Sequence, residues 1–232
     1  MIGGARAAVL SVAAMVLVAG SGCATTKQMA LSKQAPAAVI TPQQSLALAT
    51  LRLSNTFKPD YQPHVQSVAV KGVGEQGERL AFQVGAPFRA SEAEADQFEE
   101  FLVSMALPPG TYDVQSVFVR ASGLLVYGSG LIQLNGRIQV PPAKAIYLGR
   151  IEAVRRERVG EEPRAGSVIP LIDQGVTGFS GGAFDVKVVD RYDEDLALLR
   201  AEFPALQQVA VEKALLPPPS QPAPEPAQAP AK

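Results

Sequence analysis

One cysteine, one histidine and no tryptophan occur in 232 residues. A single cysteine excludes an internal disulfide framework and any multi-cysteine metal cluster. The single histidine, His64, excludes a multi-histidine metal site and leaves few routes to acid–base chemistry near neutral pH. Net charge is also nearly absent: 21 Lys+Arg against 22 Asp+Glu give −1. No basic excess is there to bind nucleic acid. There is no phosphate-cradling Gly-Lys motif, so no cofactor is expected. The apolar run over residues 7–19 is short. A membrane-spanning helix needs roughly 20 apolar residues, whereas the core of a signal peptide needs about 7–15.

Glycine and proline are plentiful instead, at 20 and 19. Arg6 precedes the apolar run, Gly20-Ser21-Gly22 follows it, and Cys23 comes next. This arrangement resembles a bacterial lipoprotein signal, with Gly22 as the small residue before the cysteine and Gly20 where leucine is usual. The resemblance implies removal of residues 1–22. It also implies a thioether-linked diacylglycerol on Cys23, with an N-acyl chain. Ala24 follows the cysteine in place of the aspartate that retains such proteins in the inner membrane. The implied destination is therefore the outer membrane, with the chain facing the periplasm. Two or more acyl chains anchor a protein stably, where one anchors it marginally. Processing would remove only Arg6 among the charged residues, leaving 20 basic against 22 acidic. The lipid, rather than general electrostatic attraction, is then the expected membrane anchor.

Residues 23–44 are polar and Ala-rich with no clear period, and read as a flexible tether. Residues 216–232 form a Pro/Ala-rich tail expected to be disordered, since such composition cannot bury a core. The expected domain is 45–215. Its pattern is mainly β. Leu80, Phe82 and Val84 alternate onto one face, as do Phe184, Val186 and Val188. Asn135-Gly136 is a hairpin signal, and burial parity predicts a three-residue loop or a bulge at Arg137 that sets Leu134 opposite Ile138.

An amphipathic helix is expected over about 91–106. Ser91-x-x-Glu94 has the spacing of a capping box, and Phe98, Phe101, Leu102 and Met105 follow at helical spacing. A helical segment is expected over about 191–215, interrupted at Pro204. The absence of a repeated β-α-β unit favours an antiparallel β-sandwich with these helical additions.

Leu107-Pro108-Pro109-Gly110-Thr111-Tyr112 enters one strand, and Val140-Pro141-Pro142 followed by Tyr147-Leu148-Gly149 enters another. This pattern resembles small transthyretin-like or carboxypeptidase-regulatory-like β-sandwich domains, over roughly 80–155. The resemblance implies a fold and no catalytic residues. Tyr112 and Tyr147 are expected to pack on the core with their hydroxyls at its edge.

Three motifs invite chemistry. Gly178-Phe179-Ser180-Gly181-Gly182 satisfies G-x-S-x-G, but no histidine follows Ser180, as a nucleophile elbow requires. A chymotrypsin-like arrangement would have to enlist His64, which sits in Gln62-Pro63-His64-Val65. The run Asp190-Arg191-Tyr192-Asp193-Glu194-Asp195 suggests an oxygen-rich calcium loop, but it lacks the glycine of an EF-hand, and helix capping by Asp190 or Asp193 explains it more simply. Arg155-Arg156-Glu157-Arg158 is a mixed-charge run that anionic headgroups would attract only weakly. No catalytic residue, metal or cofactor is assigned. The expected function is a lipid-anchored structural or protein-binding accessory with an envelope protein partner. The alternatives are a small-molecule or glycan-binding module and, third, a hydrolase using Ser180.

Overall fold

Two Pro-Pro pairs mark where the chain crosses between sheets. Proline has no N–H to donate, so a ladder must end there. A computed structural model describes residues 24–34, 37–74, 77–88, 98–168 and 174–219. One sheet holds β1 (Thr25–Gln28), β3 (His64–Gly72), β4 (Arg79–Gln83), β6 (Gly110–Ser122) and β7 (Tyr127–Val140), in the order β1-β4-β3-β6-β7. The other holds β2 (Ser45–Asn55), β5 (Glu99–Leu107), β8 (Ala145–Glu157) and β10 (Val211–Lys213), in the order β10-β8-β2-β5. β9 (Gly182–Val189) also pairs with β8. Pro108-Pro109 lies between β5 and β6, and Pro141-Pro142 between β7 and β8; each carries the chain from one sheet to the other.

The protein is mainly β and sandwich-like, as its composition and periodicity imply. The sheets are mixed rather than purely antiparallel, because β1–β4, β2–β8 and β10–β8 pair in parallel. The main core lies between the sheets and includes Leu51, Val70, Phe82, Met105, Val117 and Ile132. A second apolar cluster lies on the other side of the second sheet. There Leu46, Leu48, Leu102 and Tyr147 meet Leu31, Leu196, Leu199 and Leu206 from outside it. That second cover explains the largest correction. Glu99–Leu107 is strand β5, not the second half of a helix, while 91–97 lie outside the described residues. A strand buried on both faces shows no period of two, and its Phe101, Leu102 and Met105 mimic helical spacing.

Asn135-Gly136 makes no hairpin. β7 runs unbroken through it, and Asp113 pairs with Arg137 while Ser116 pairs with Gln133. Val114 stands opposite Gly136, so two residues of β7 face one of β6, and Asn135 takes φ 50°. The left-handed residue that a tight turn would use here makes a bulge instead. The hairpin turn lies earlier, at 123–126, where the Gly123 N–H donates to the Val126 carbonyl at 2.7 Å. Leu124 and Leu125, within this turn, are 98% and 91% exposed.

Both ends of the domain reach further than expected. β1 pairs with β4, and Leu31 is buried, so 24–34 is folded rather than a tether. The Leu216 N–H donates to Leu148, and its side chain is buried, so the structured chain includes 216. The remaining tail, 220–232, lies outside the described residues. The expected C-terminal helical segment is α1 (Tyr192–Glu202) with a 3₁₀ turn at Pro204–Leu206, followed by β10 in place of further helix. Both apolar clusters are built from residues 29–216, so a chain starting at Ala24 keeps every core residue.

Candidate functional site

The G-x-S-x-G string is a packed loop end. Phe179 is fully buried and meets Phe184 edge-on, with ring centroids 6.4 Å apart. It seats against Gly128, Gly130 and Gly166, where any Cβ would come within 3 Å of it. Gly178 has φ +82°, a conformation that favours glycine. Within the motif, a Cβ on Gly178 or Gly182 would come within 3 Å of a neighbour, while one on Gly181 would meet only ordinary contacts. Ser180 offers its carbonyl to Arg164 at 2.5 Å. Among the described residues, no hydrogen bond joins its hydroxyl to His64. His64 opens β3 and pairs with Arg120 across the ladder.

Arg155, from the mixed-charge run, points inward and is fully buried. Its guanidinium lies 4.0 Å from the Phe179 ring centroid and donates to the Tyr61 carbonyl at 2.6 Å. Among the described residues its Nε and Nη1 have no hydrogen-bond partner, and burial pushes its pKa down to about 10. Arg156 and Arg158 are held by protein groups. Arg156 donates to both oxygens of Glu162 at 2.7 Å and to Asp185 at 2.9 Å. These bonds, then that from the Val159 N–H, hold the Glu162 pKa down to about 2. Arg158 reaches the Glu162 carbonyl. The run is thus consumed within the fold.

The aspartates considered for calcium are also dispersed. Asp190 accepts from the Tyr192 N–H at 3.1 Å, at the start of α1, and from Lys213 at 2.8 Å. Asp195 turns inward and is fully buried, accepting from Tyr147 Oη at 2.5 Å and Arg150 Nε at 2.8 Å. Burial works against the charge on Arg150, yet the hydrogen bonds and charge of Asp195 hold its pKa above the ordinary value. Burial, then the Asp195 hydrogen bond, pushes the Tyr147 hydroxyl up. This network fastens α1 to β8. No local sequence signal reveals it, because its members are 45 and 48 residues apart. Among the described residues, no group of three His, Cys, Asp or Glu side chains is placed to hold a metal.

Tyr112 is buried with its hydroxyl donating to the Pro108 carbonyl at 2.9 Å, as the packing role assigned to the Pro-Pro-Gly-x-Tyr stretch requires. An open cleft of about 270 Å³ lies along the seam between β7 and β9, lined by Leu131, Phe184, Val186, Lys187 and Pro219. It lies just below the usual size of a small-molecule site, about 300–1,000 Å³. Cys23 lies outside the described residues; Ala24 is the first described, one residue before β1. Among the described residues, no helix is long and apolar enough to cross a membrane. No family model, curated protein or solved structure matches the chain.

Proposed function

We propose that this chain is a lipid-anchored accessory of the bacterial outer membrane, facing the periplasm and acting by structural or protein contact rather than catalysis. The observation that carries the reading is the position of Cys23. The only cysteine follows an apolar run of signal-peptide length, and β1 begins two residues after it, at Thr25. Cleavage before Cys23 would leave both sheets whole, and the acyl chains would hold the domain close to the bilayer. Two features support a non-catalytic role. The G-x-S-x-G string closes a packed loop, and the acidic cluster serves helix α1. The transthyretin-like resemblance belongs to the same proposal, since a sandwich presents strand edges to which a partner can add.

The test is mass spectrometry of the mature N-terminus from isolated outer membranes. The expected species begins at Cys23 and carries diacylglyceryl and acyl mass. An unmodified Cys23, or a mature N-terminus elsewhere, would overturn the anchor.

A further inference from the structure

The outer face of the first sheet separates charges that the composition averages away. Residues paired across its ladders share a face. Leu80, Phe82, Val70 and Val117 point into the core, so their neighbours form the outer face. One row across β4, β3, β6 and β7 reads Arg79, Lys71, Asp113, Arg137. Further along stand the small side chains of Ala81, Ala69 and Ser116. Phe118 then faces Leu131, and Arg120 stands between His64 and Ser129. Tyr127 comes next, 58% exposed, with Arg120 at 5.6 Å from its ring centroid. The hairpin turn ends the face with Leu124 and Leu125.

Among the described residues of β3, β4, β6 and β7, the face carries four Lys/Arg side chains against one carboxylate. That carboxylate, Asp113, is taken by Arg137 through bonds of 2.7 and 3.1 Å. Glu78 sits at the rim beside Tyr112, an inward-facing residue. From Val114 to Ile151 the sequence contains no Asp or Glu at all. Large exposed apolar side chains gather at the turn end of the face, near Arg120 and away from the Arg79, Lys71 and Arg137 row: Leu124, Leu125, Tyr127, Phe118 and Leu131.

We infer that this face is a membrane-contact surface that lies on an anionic phospholipid bilayer with Leu124 and Leu125 inserted. Charge complementarity selects the occupant. Cations on a flat sheet of small side chains suit phosphate headgroups. Tyrosine and arginine beside an apolar tip match the step from headgroup to hydrocarbon. Two almost fully exposed leucines at the turn have no neighbour among the described residues to shield them, and a bilayer covers such a tip without a preformed pocket. β1 is an edge strand of the same sheet, so the chain leads toward Cys23 from its border. This contact goes beyond the acyl anchor and does not depend on it, so the two can fail separately.

The test uses the chain from Ala24 to Lys232, which keeps both apolar clusters and carries no acyl group. Its partition is measured onto vesicles of phosphatidylcholine with phosphatidylglycerol as the minority lipid, and onto phosphatidylcholine alone. Binding is expected only to the anionic vesicles and should weaken with salt. Replacing Leu124 and Leu125 together by Ser should lower the partition by about tenfold or more. Lys71→Gln and Arg120→Gln should each lower it about fivefold.

The chain has no tryptophan, so Leu125→Trp gives a single reporter whose emission should shift to the blue on anionic vesicles. Val39→Trp, at an exposed position beside the second cluster, should not shift. Thermal melting of the wild type and variants checks that all are folded. Equal binding to neutral vesicles, no binding, an unshifted emission from the Leu125→Trp variant or a leucine-dependent dimer without vesicle binding would each overturn the proposal.

Discussion

Removing the carboxylate of Asp195 should unfasten helix α1 from the second sheet. Asp195 is fully buried and is the shared acceptor for Tyr147 and Arg150. Asp195→Ala would leave the Arg150 side chain, 6% exposed, with the exposed Glu194 carboxylate at 3.6 Å and the charge of Glu100. It would also leave the buried Tyr147 hydroxyl without its acceptor. Breaking a buried ion pair from one side costs about 3–5 kcal/mol, because the remaining charge stays desolvated. For a domain of this size that is a fall in Tm of about 6–20 °C. Urea unfolding followed by circular dichroism measures the first quantity, and a thermal scan the second.

The reasoning makes a sharper demand on the combined variant. Tyr147→Phe, Arg150→Met and Asp195→Leu together remove all three polar side chains of the network and preserve apolar volume. The triple variant should therefore return to within about 1–2 kcal/mol of wild type. A cost below about 1 kcal/mol for Asp195→Ala would refute the argument. So would a triple variant no better than the single one, since the loss would then come from packing rather than from stranded charge.

Gly130→Ala should cost about 2–3 kcal/mol by the same unfolding assay, since its Cβ would stand 2.0 Å from the Ala165 carbonyl oxygen and 2.7 Å from the Phe179 ring. Gly85→Ala, with nothing within 4 Å, should leave the midpoint unchanged. The Glu162 carboxyl is held down to about 2 by Arg156, below its ordinary value. Its stabilising contribution is therefore complete above the unfolded pKa, near 4.5, and is lost as pH falls toward 2. The Tm difference between wild type and Glu162→Gln, measured against pH, should shrink through that window; a constant difference would show that Arg156 does not depend on the charge of Glu162.

Where one face of a strand is wet, the sequence alone located it. Leu80 and Phe82 on β4 follow from period two because the outer face of the first sheet meets solvent. The Pro-Pro pairs marked breaks for the same local reason, the missing N–H donors. The apolar run and lone cysteine before residue 24 are likewise readable in one dimension. Tertiary structure decided what period and spacing leave ambiguous. β5 reads as a helix because α1 and residues near Leu31 cover its second face, and no local pattern announces a cover drawn from elsewhere in the chain. Asn135-Gly136 reads as a turn, but a left-handed residue serves a bulge equally well, and β6 chooses between them. The aspartate run reads as a cap or a cation loop until Arg150 and Tyr147 claim Asp195. A net charge of −1 conceals the cationic outer face. Charge is counted along a chain but acts across a surface, and only strand pairing brings Arg79, Lys71 and Arg137 into one row.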